Sequence, residues 1–162
     1  MTTAAHVYQA ITAVTLVMSK EGIAKSSNNA QQGYKFRGID SVYSALAKHL
    51  AAEKLCVLPR VIAKEYVERT SKSGAVLNYA LLTIEFDLVS SVDGSKHTIC
   101  LVGEAMDSAD KASNKSMSAA MKYALLMVFQ VPTEGDNDAD ATTPEPLPRR
   151  QAPTPAAAPA SV

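Results

Sequence analysis

Apolar side chains at helical spacing open the chain. Val7, Ile11, Val14 and Met18 recur at i, i+4, i+7 and i+11, which puts them on one face and predicts a helix over residues 4–20, with Gly22 as its stop. Residues 25–33 lose the pattern: Ser26, Ser27, Asn28, Asn29, Gln31 and Gln32 are polar and unperiodic, and they predict a mobile loop. Tyr34-Lys35-Phe36-Arg37 then alternates rings with cations. Asp40 predicts the N-cap of a second helix whose buried face is Val42, Leu46 and Leu50 and whose end lies near Lys54.

The period then changes from helical to extended. Val57, Leu58, Val61, Ile62, Tyr66 and Val67 predict a long strand over residues 55–70 with a break at Pro59, and Ser71 to Gly74 predict a hairpin turn. On the return strand, residues 75–89, Ala80, Leu82, Ile84, Phe86 and Leu88 alternate with polar positions that include Glu85 and Asp87, as in a half-buried antiparallel strand. Val92-Asp93-Gly94 is a second turn, residues 96–106 a third strand, and residues 108–128 a helix stopped before Pro132. The order predicts an α+β fold: a three-stranded antiparallel β-meander followed by a long basic helix, with two N-terminal helices.

Composition divides the chain once. Of eight prolines, six fall in residues 134–162, a stretch with no aromatic residue and no apolar periodicity, which predicts a disordered tail after a domain of residues 1–133. The tail holds five acids against two arginines, net −3, so the overall zero hides a domain of 14 bases and 11 acids, net +3. A mildly basic domain beside an acidic tail is a weak hint of an anionic partner, and such a tail can occupy a nucleic-acid site in cis; the commoner meaning is a solvating tail. No apolar run reaches the roughly 18–20 residues of a membrane-spanning helix. Two cysteines, Cys56 and Cys100, are too few for a disulfide framework and lack metal-ligand spacing; with no signal-like N-terminus, the expectation is a cytosolic, reducing compartment.

The last helix carries the candidate chemistry. With Lys111 at zero and about 100° per residue, Lys115, Ser118 and Lys122 fall within about 60° of one another. Met117, Met121, Ala124 and Val128 fall nearly opposite, which predicts a Met/Ala face clipped into the core and a row of ammonium groups outward. Like charges at i, i+4 repel unless something anionic lies across them. Rings interleaved with cations at Tyr34, Lys35, Phe36 and Arg37 are what single-stranded nucleic acid binding requires, since rings stack on bases and cations hold phosphates. A solvated helix face and a loop that tucks its rings into the core are the alternatives.

Other constellations are weaker. Glu104, Asp107 and Asp110 are placed for a Mg²⁺ site or, more commonly, for the start of a helix. No phosphate loop, dinucleotide fingerprint or nucleophile elbow is present, so the expectation is a non-enzyme without cofactor.

Two blocks resemble the phage-encoded Erf (essential recombination function) family of single-strand annealing proteins. One is Gly33-Tyr34-Lys35-Phe36-Arg37-Gly38-Ile39-Asp40 with Val42, Tyr43 and Leu46; the other runs from Gly103-Glu104-Ala105 through Asp107, Asp110-Lys111-Ala112, Lys115, Ser118-Ala119-Ala120 and Lys122-Tyr123-Ala124-Leu125 to Phe129 and Pro132. Between them Leu55 to Pro59 is similar to a Gly-Leu-x-x-x-Pro element, with Lys54 in place of the glycine. The resemblance covers about residues 5–133. It implies a protein that binds single-stranded DNA, anneals complementary strands without ATP, assembles into homo-oligomeric rings or filaments, and acts in the host cytoplasm with a phage exonuclease and the host single-strand binding protein as partners. It also implies a β-β-β-α core shared with eukaryotic Rad-type annealing proteins, with backbone contacts from a final-helix Lys and its neighbour, here Lys122 and Tyr123. With the lysine row and the aromatic-basic segment, the candidate DNA-binding set is Tyr34, Lys35, Phe36, Arg37, Lys111, Lys115, Lys122 and Tyr123; a strand binder that does not anneal, with DNA or RNA as ligand, and a phage scaffold oligomer are the competing readings.

Overall fold

The computed structural model describes residues 5–25, 27–29, 34–71 and 73–132. The acidic tail therefore lies outside the described residues. Helix α1 (His6–Glu21) buries Val7, Ala10, Val14 and Met18 and stops at Gly22, whose φ of 63° suits glycine. Its N-terminus is capped from far along the chain: Asp93 Oδ2 accepts from the His6 N–H at 3.0 Å and Ser95 Oγ from the Val7 N–H at 2.9 Å.

The stretch expected as a loop contains a small hairpin instead. β1 (Ser27–Asn29) pairs antiparallel with β2 (Tyr34–Phe36), Ser27 opposite Phe36. β1, made of Ser and Asn, carries no apolar alternation, and the alternation of Tyr34-Lys35-Phe36 in β2 is too short at three residues to mark a strand. Helix α2 (Ile39–Ala52) starts one residue before Asp40, with Gly38 rather than Asp40 at the N-cap, and buries Val42 and Leu46.

The meander follows the expected order: β3 (Leu55–Thr70), β4 (Val76–Ser90) and β5 (Lys96–Asp107), with β4 central. Ala80, Leu82, Ile84, Phe86 and Leu88 are all buried on one face of β4. The strand β3 does not break at Pro59, which pairs with Phe86; its irregularity comes later, between Val61 and Ala63. As an edge strand with one neighbour, β3 accommodates a residue without an N–H. On the opposite face Arg60 pairs with Glu85, and Asp87 with Lys96.

Helix α3 (Ala112–Val128) begins four residues later than its sequence suggested. Asp107 Oδ1 accepts from the Ala109 N–H at 2.8 Å and so holds the intervening segment in a turn. The face clipped to the sheet is Ala112, Ser116, Ala120 and Ala124; of the expected Met/Ala face Ala124 is buried, Met121 and Val128 are partly buried against the core, and Met117 is 40 % exposed. The reason is a close helix–sheet approach at Gly103 of β5. A Cβ there would stand 2.5 Å from the Ser116 carbonyl oxygen and 3.0 Å from the Ala120 Cβ. Only small residues fit between the layers, so methionines are displaced to the flank.

α3 ends in a Schellman turn. The Gln130 N–H donates to Met127 O, the Val131 N–H donates to Leu126 O, and Gln130 takes φ 47°. The chain thereby folds back, burying Phe129 and Val131 in the cluster that α1, α2, Leu55 and Leu88 form. Among the described residues no helix is long and apolar enough to cross a membrane.

Candidate nucleic-acid interface

Because α3 lays its small-residue stripe on the sheet, the opposite side of the helix must face outward. Position 120 lies about 160° from the midpoint of the lysine row. The outward side carries Lys115, Ser118 and Lys122, with Lys111 at the N-cap. It faces the chain between β2 and α2, and the two walls enclose an open groove of about 360 Å³ lined by Arg37, Gly38, Ile39, Lys111, Asn114, Lys115, Ser118, Ala119 and Lys122. Two sequence blocks more than 70 residues apart thus converge on one concave surface.

Electrostatics favour an anion there. The N-terminal end of α2, at Gly38 and Ile39, adds its positive dipole end, though Asp40 stands in the same first turn. Lys115 is held by the Asp107 carboxylate, which the Lys115 ammonium first, and the Ala109 and Lys111 N–H groups after it, keep below the usual carboxylate range. Among the described residues no acid lies within ion-pair distance of Lys111 or Lys122; Lys122 Nζ instead sits 4.9 Å from the centre of the Tyr123 ring. The acids expected as a possible Mg²⁺ site are not gathered: the described residues hold no group of three or more His, Cys, Asp or Glu able to hold a metal.

Arg37 is buried, at 6 % exposure. Its Nε donates to Ile23 O at 2.6 Å and its Nη2 to Pro132 O at 2.7 Å. The guanidinium therefore ties the segment after α1, the β2–α2 junction and the segment after α3 together. Both acceptors are neutral, and no described carboxylate pairs with Arg37, so its charge still adds to the field in the groove it lines.

Of the eight residues singled out in the sequence, the structure brings Arg37, Lys111, Lys115 and Lys122 to the groove. Tyr123 lies beside it, 55 % exposed, off the lining. For Tyr34, Lys35 and Phe36 the structure describes the backbone of β2. Sequence reasoning missed Asn114, which lies on the flank of the lysine row and is legible only once the groove's second wall is known. Ser118 also lines a neighbouring apolar groove of about 240 Å³ with Tyr43, Pro59, Val61, Ile84, Phe86, Met117 and Met121. A basic and an apolar channel thus run side by side along α3.

The family model described as the ERF superfamily matches residues 7–161, and the chain belongs to that superfamily. No curated protein matches it.

Proposed function

We propose that this member of the ERF superfamily binds single-stranded DNA along the outward side of α3 and anneals complementary strands without ATP or covalent chemistry. The observation that carries the reading is the groove in which Lys111, Lys115 and Lys122 face Arg37, Gly38 and Ile39. Phosphates of an extended strand occupy the lysine row, and the apolar channel beyond Ser118 supplies a wall for the sugar–base side. Holding strands extended while neutralising their charge removes most of the repulsion and disorder that oppose pairing. Tyr34 and Phe36, at the end of the hairpin that leads into Arg37, are the rings placed nearest in sequence for stacking.

The annealing surface works in a self-assembled ring or filament. The strand β3 is an edge strand, and the sheet face away from α3 carries a cross-strand row of Val67, Tyr79 and Met106, in which Val67 and Met106 are exposed. An apolar row beside an unpaired edge is a surface for a second copy.

The test is fluorescence anisotropy on a labelled oligothymidylate over a range of salt, beside annealing of complementary oligonucleotides. Replacing Lys111, Lys115 and Lys122 by Ala should weaken binding to all sequences alike and lower the salt slope by about 0.7 per lost phosphate contact. A folded triple variant with an unchanged slope would identify the row as a solvated face. Binding without acceleration of annealing would favour a protective strand binder.

A further inference from the structure

Beside the basic groove, an apolar channel stands open. Its floor is Ile84 and Phe86 of β4, both buried, and its rim is Tyr43 of α2, Pro59 and Val61 of β3 and Met117 of α3, all exposed. Large apolar side chains gathered at exposed positions mark a surface that something else covers. None of the eight described residues lining the channel is charged, whereas the described lining of the basic groove carries three lysines, Arg37 and no acid. Ser118 lines both.

The spacing of the two lanes fits one nucleotide. Around α3, Met117 and Met121 lie about 120° from the midpoint of the lysine row, with Ser118 between them. On a helix about 10–12 Å across, that separates the lanes by about 9–10 Å. A phosphate seated at the lysines therefore carries its sugar over the short Ser118 side chain and brings its base to the channel. The channel's volume of about 240 Å³ is on the scale of a single nucleoside. Its walls have the matching chemistry: the Tyr43 ring to stack on a base, and methionine thioethers, which pack favourably on aromatic edges. An acidic peptide also combines anions with apolar groups, but on separate residues. Here a divide one residue wide joins anion and planar ring within one repeating unit, as a nucleotide does.

We propose that the channel receives one unstacked base from the strand bound along α3, with Tyr43 as the stacking residue, and that this capture selects single strands over duplex. The proposal rests on the reading of the lysine row as a phosphate site and adds what the row cannot supply. Ammonium groups hold the phosphates of a duplex as they hold those of a single strand. A base enters the channel only when it is unpaired, so a duplex must first open a pair and lose its stacking. Every base has a π-face, which makes the capture tolerant of sequence. When a complementary strand pairs along the bound one, the captured base is drawn out, and the grip on the annealed product weakens.

The chain has no tryptophan, so Tyr43→Trp places a single fluorophore at the rim of the channel. An added oligothymidylate should quench its emission, while an abasic strand of the same length and charge should bind without quenching it. Tyr43→Ala in the full chain should bind oligothymidylate about 5–100-fold more weakly, the loss of one stacked base, with an unchanged salt slope and a melting temperature near native. The same variant should bind the abasic strand and a duplex as the native protein does, so its preference for single strands shrinks by the same factor. Equal quenching by the two strands, native affinity of Tyr43→Ala for oligothymidylate, or an equal loss on the abasic strand would each overturn the proposal. So would a blue shift of the tryptophan that grows with protein concentration in the absence of DNA, which would assign the channel to a second copy. A native protein that binds neither strand would sink the phosphate reading and the channel with it. One that binds both strands alike through its lysines would keep the phosphate reading and refute the channel alone.

Discussion

Asp107 and Lys115 form an ion pair across the entry to α3, and the other oxygen of the same carboxylate accepts the Ala109 N–H. One acid thus shapes the turn before the helix and occupies a groove lysine. Asp107→Asn keeps an oxygen for the Ala109 N–H while releasing Lys115. Single-stranded DNA should then bind more tightly, with a salt slope steeper by about 0.7. Lys115→Ala in the native background should cost less affinity than Lys122→Ala, since Lys115 must leave a partner to reach a phosphate. Anisotropy titrations at several salt concentrations check both; an Asp107→Asn protein with native affinity and slope would refute the competition.

Asp93 and α1 give a pH prediction. The Ser95 hydroxyl first, then the His6 and Ser95 N–H groups, hold the Asp93 carboxyl well below the usual carboxylate range. A carboxyl lowered on folding stabilises the native state fully above its unfolded value near 3.9, and the contribution is lost as pH falls toward the folded value. Asp93→Ala should therefore melt below the native protein at pH 7, with the gap between them closing as the pH drops below about 4. A gap that stays constant from pH 7 to pH 3 would show that the carboxylate's charge contributes nothing to the cap.

How far the fold was legible follows from where its signals are local. The central strand β4 was readable because one buried face forces strict alternation from Ala80 to Leu88. The small-residue stripe of α3 was not, because Met117 and Met121 look more core-like than Ser116 and Ala120. Hydrophobicity alone ignores distance, and the distance here is set by Gly103 on another element. The β1–β2 hairpin was illegible because each strand is only three residues long and β1 is entirely Ser and Asn, so no apolar period can establish itself. In the candidate site the lysine row was visible from a wheel, since it depends on α3 alone. Arg37 stood out as a cation, but its two carbonyl acceptors, Ile23 and Pro132, are tertiary facts, and they make it a strut in the groove wall.

Lys54 and Gln130 hold the left-handed conformation, φ 53° and 47°, at the ends of α2 and α3. A Cβ makes that region costly by about 1–2 kcal/mol, and glycine returns part of the gain through the entropy of its unfolded chain. Lys54→Gly and Gln130→Gly should each raise stability by about 0.5–1 kcal/mol, additively, because the two turns terminate different helices. Denaturant melts of the single and double variants decide it, and a loss of stability in either single variant would mean that its side chain contributes contacts worth more than the strain.

Arg37→Lys separates the strut from a phosphate grip. Lysine preserves the positive charge in the groove wall but cannot reproduce a fork that reaches Ile23 O with one nitrogen and Pro132 O with another. Losing charge-assisted bonds from a buried group costs about 1.5–3 kcal/mol each, and an unpaired carbonyl remains behind. The variant should therefore melt at a markedly lower temperature, while its salt slope on an oligothymidylate, measured where it is still folded, should stay close to native. Arg37→Ala should lower stability at least as much and should also reduce affinity at low salt, since it removes a charge that both partners leave unneutralised. If Arg37→Lys instead melts like the native protein while its slope falls by about 0.7, the guanidinium grips phosphate directly, and the tie to Pro132 is incidental to the groove.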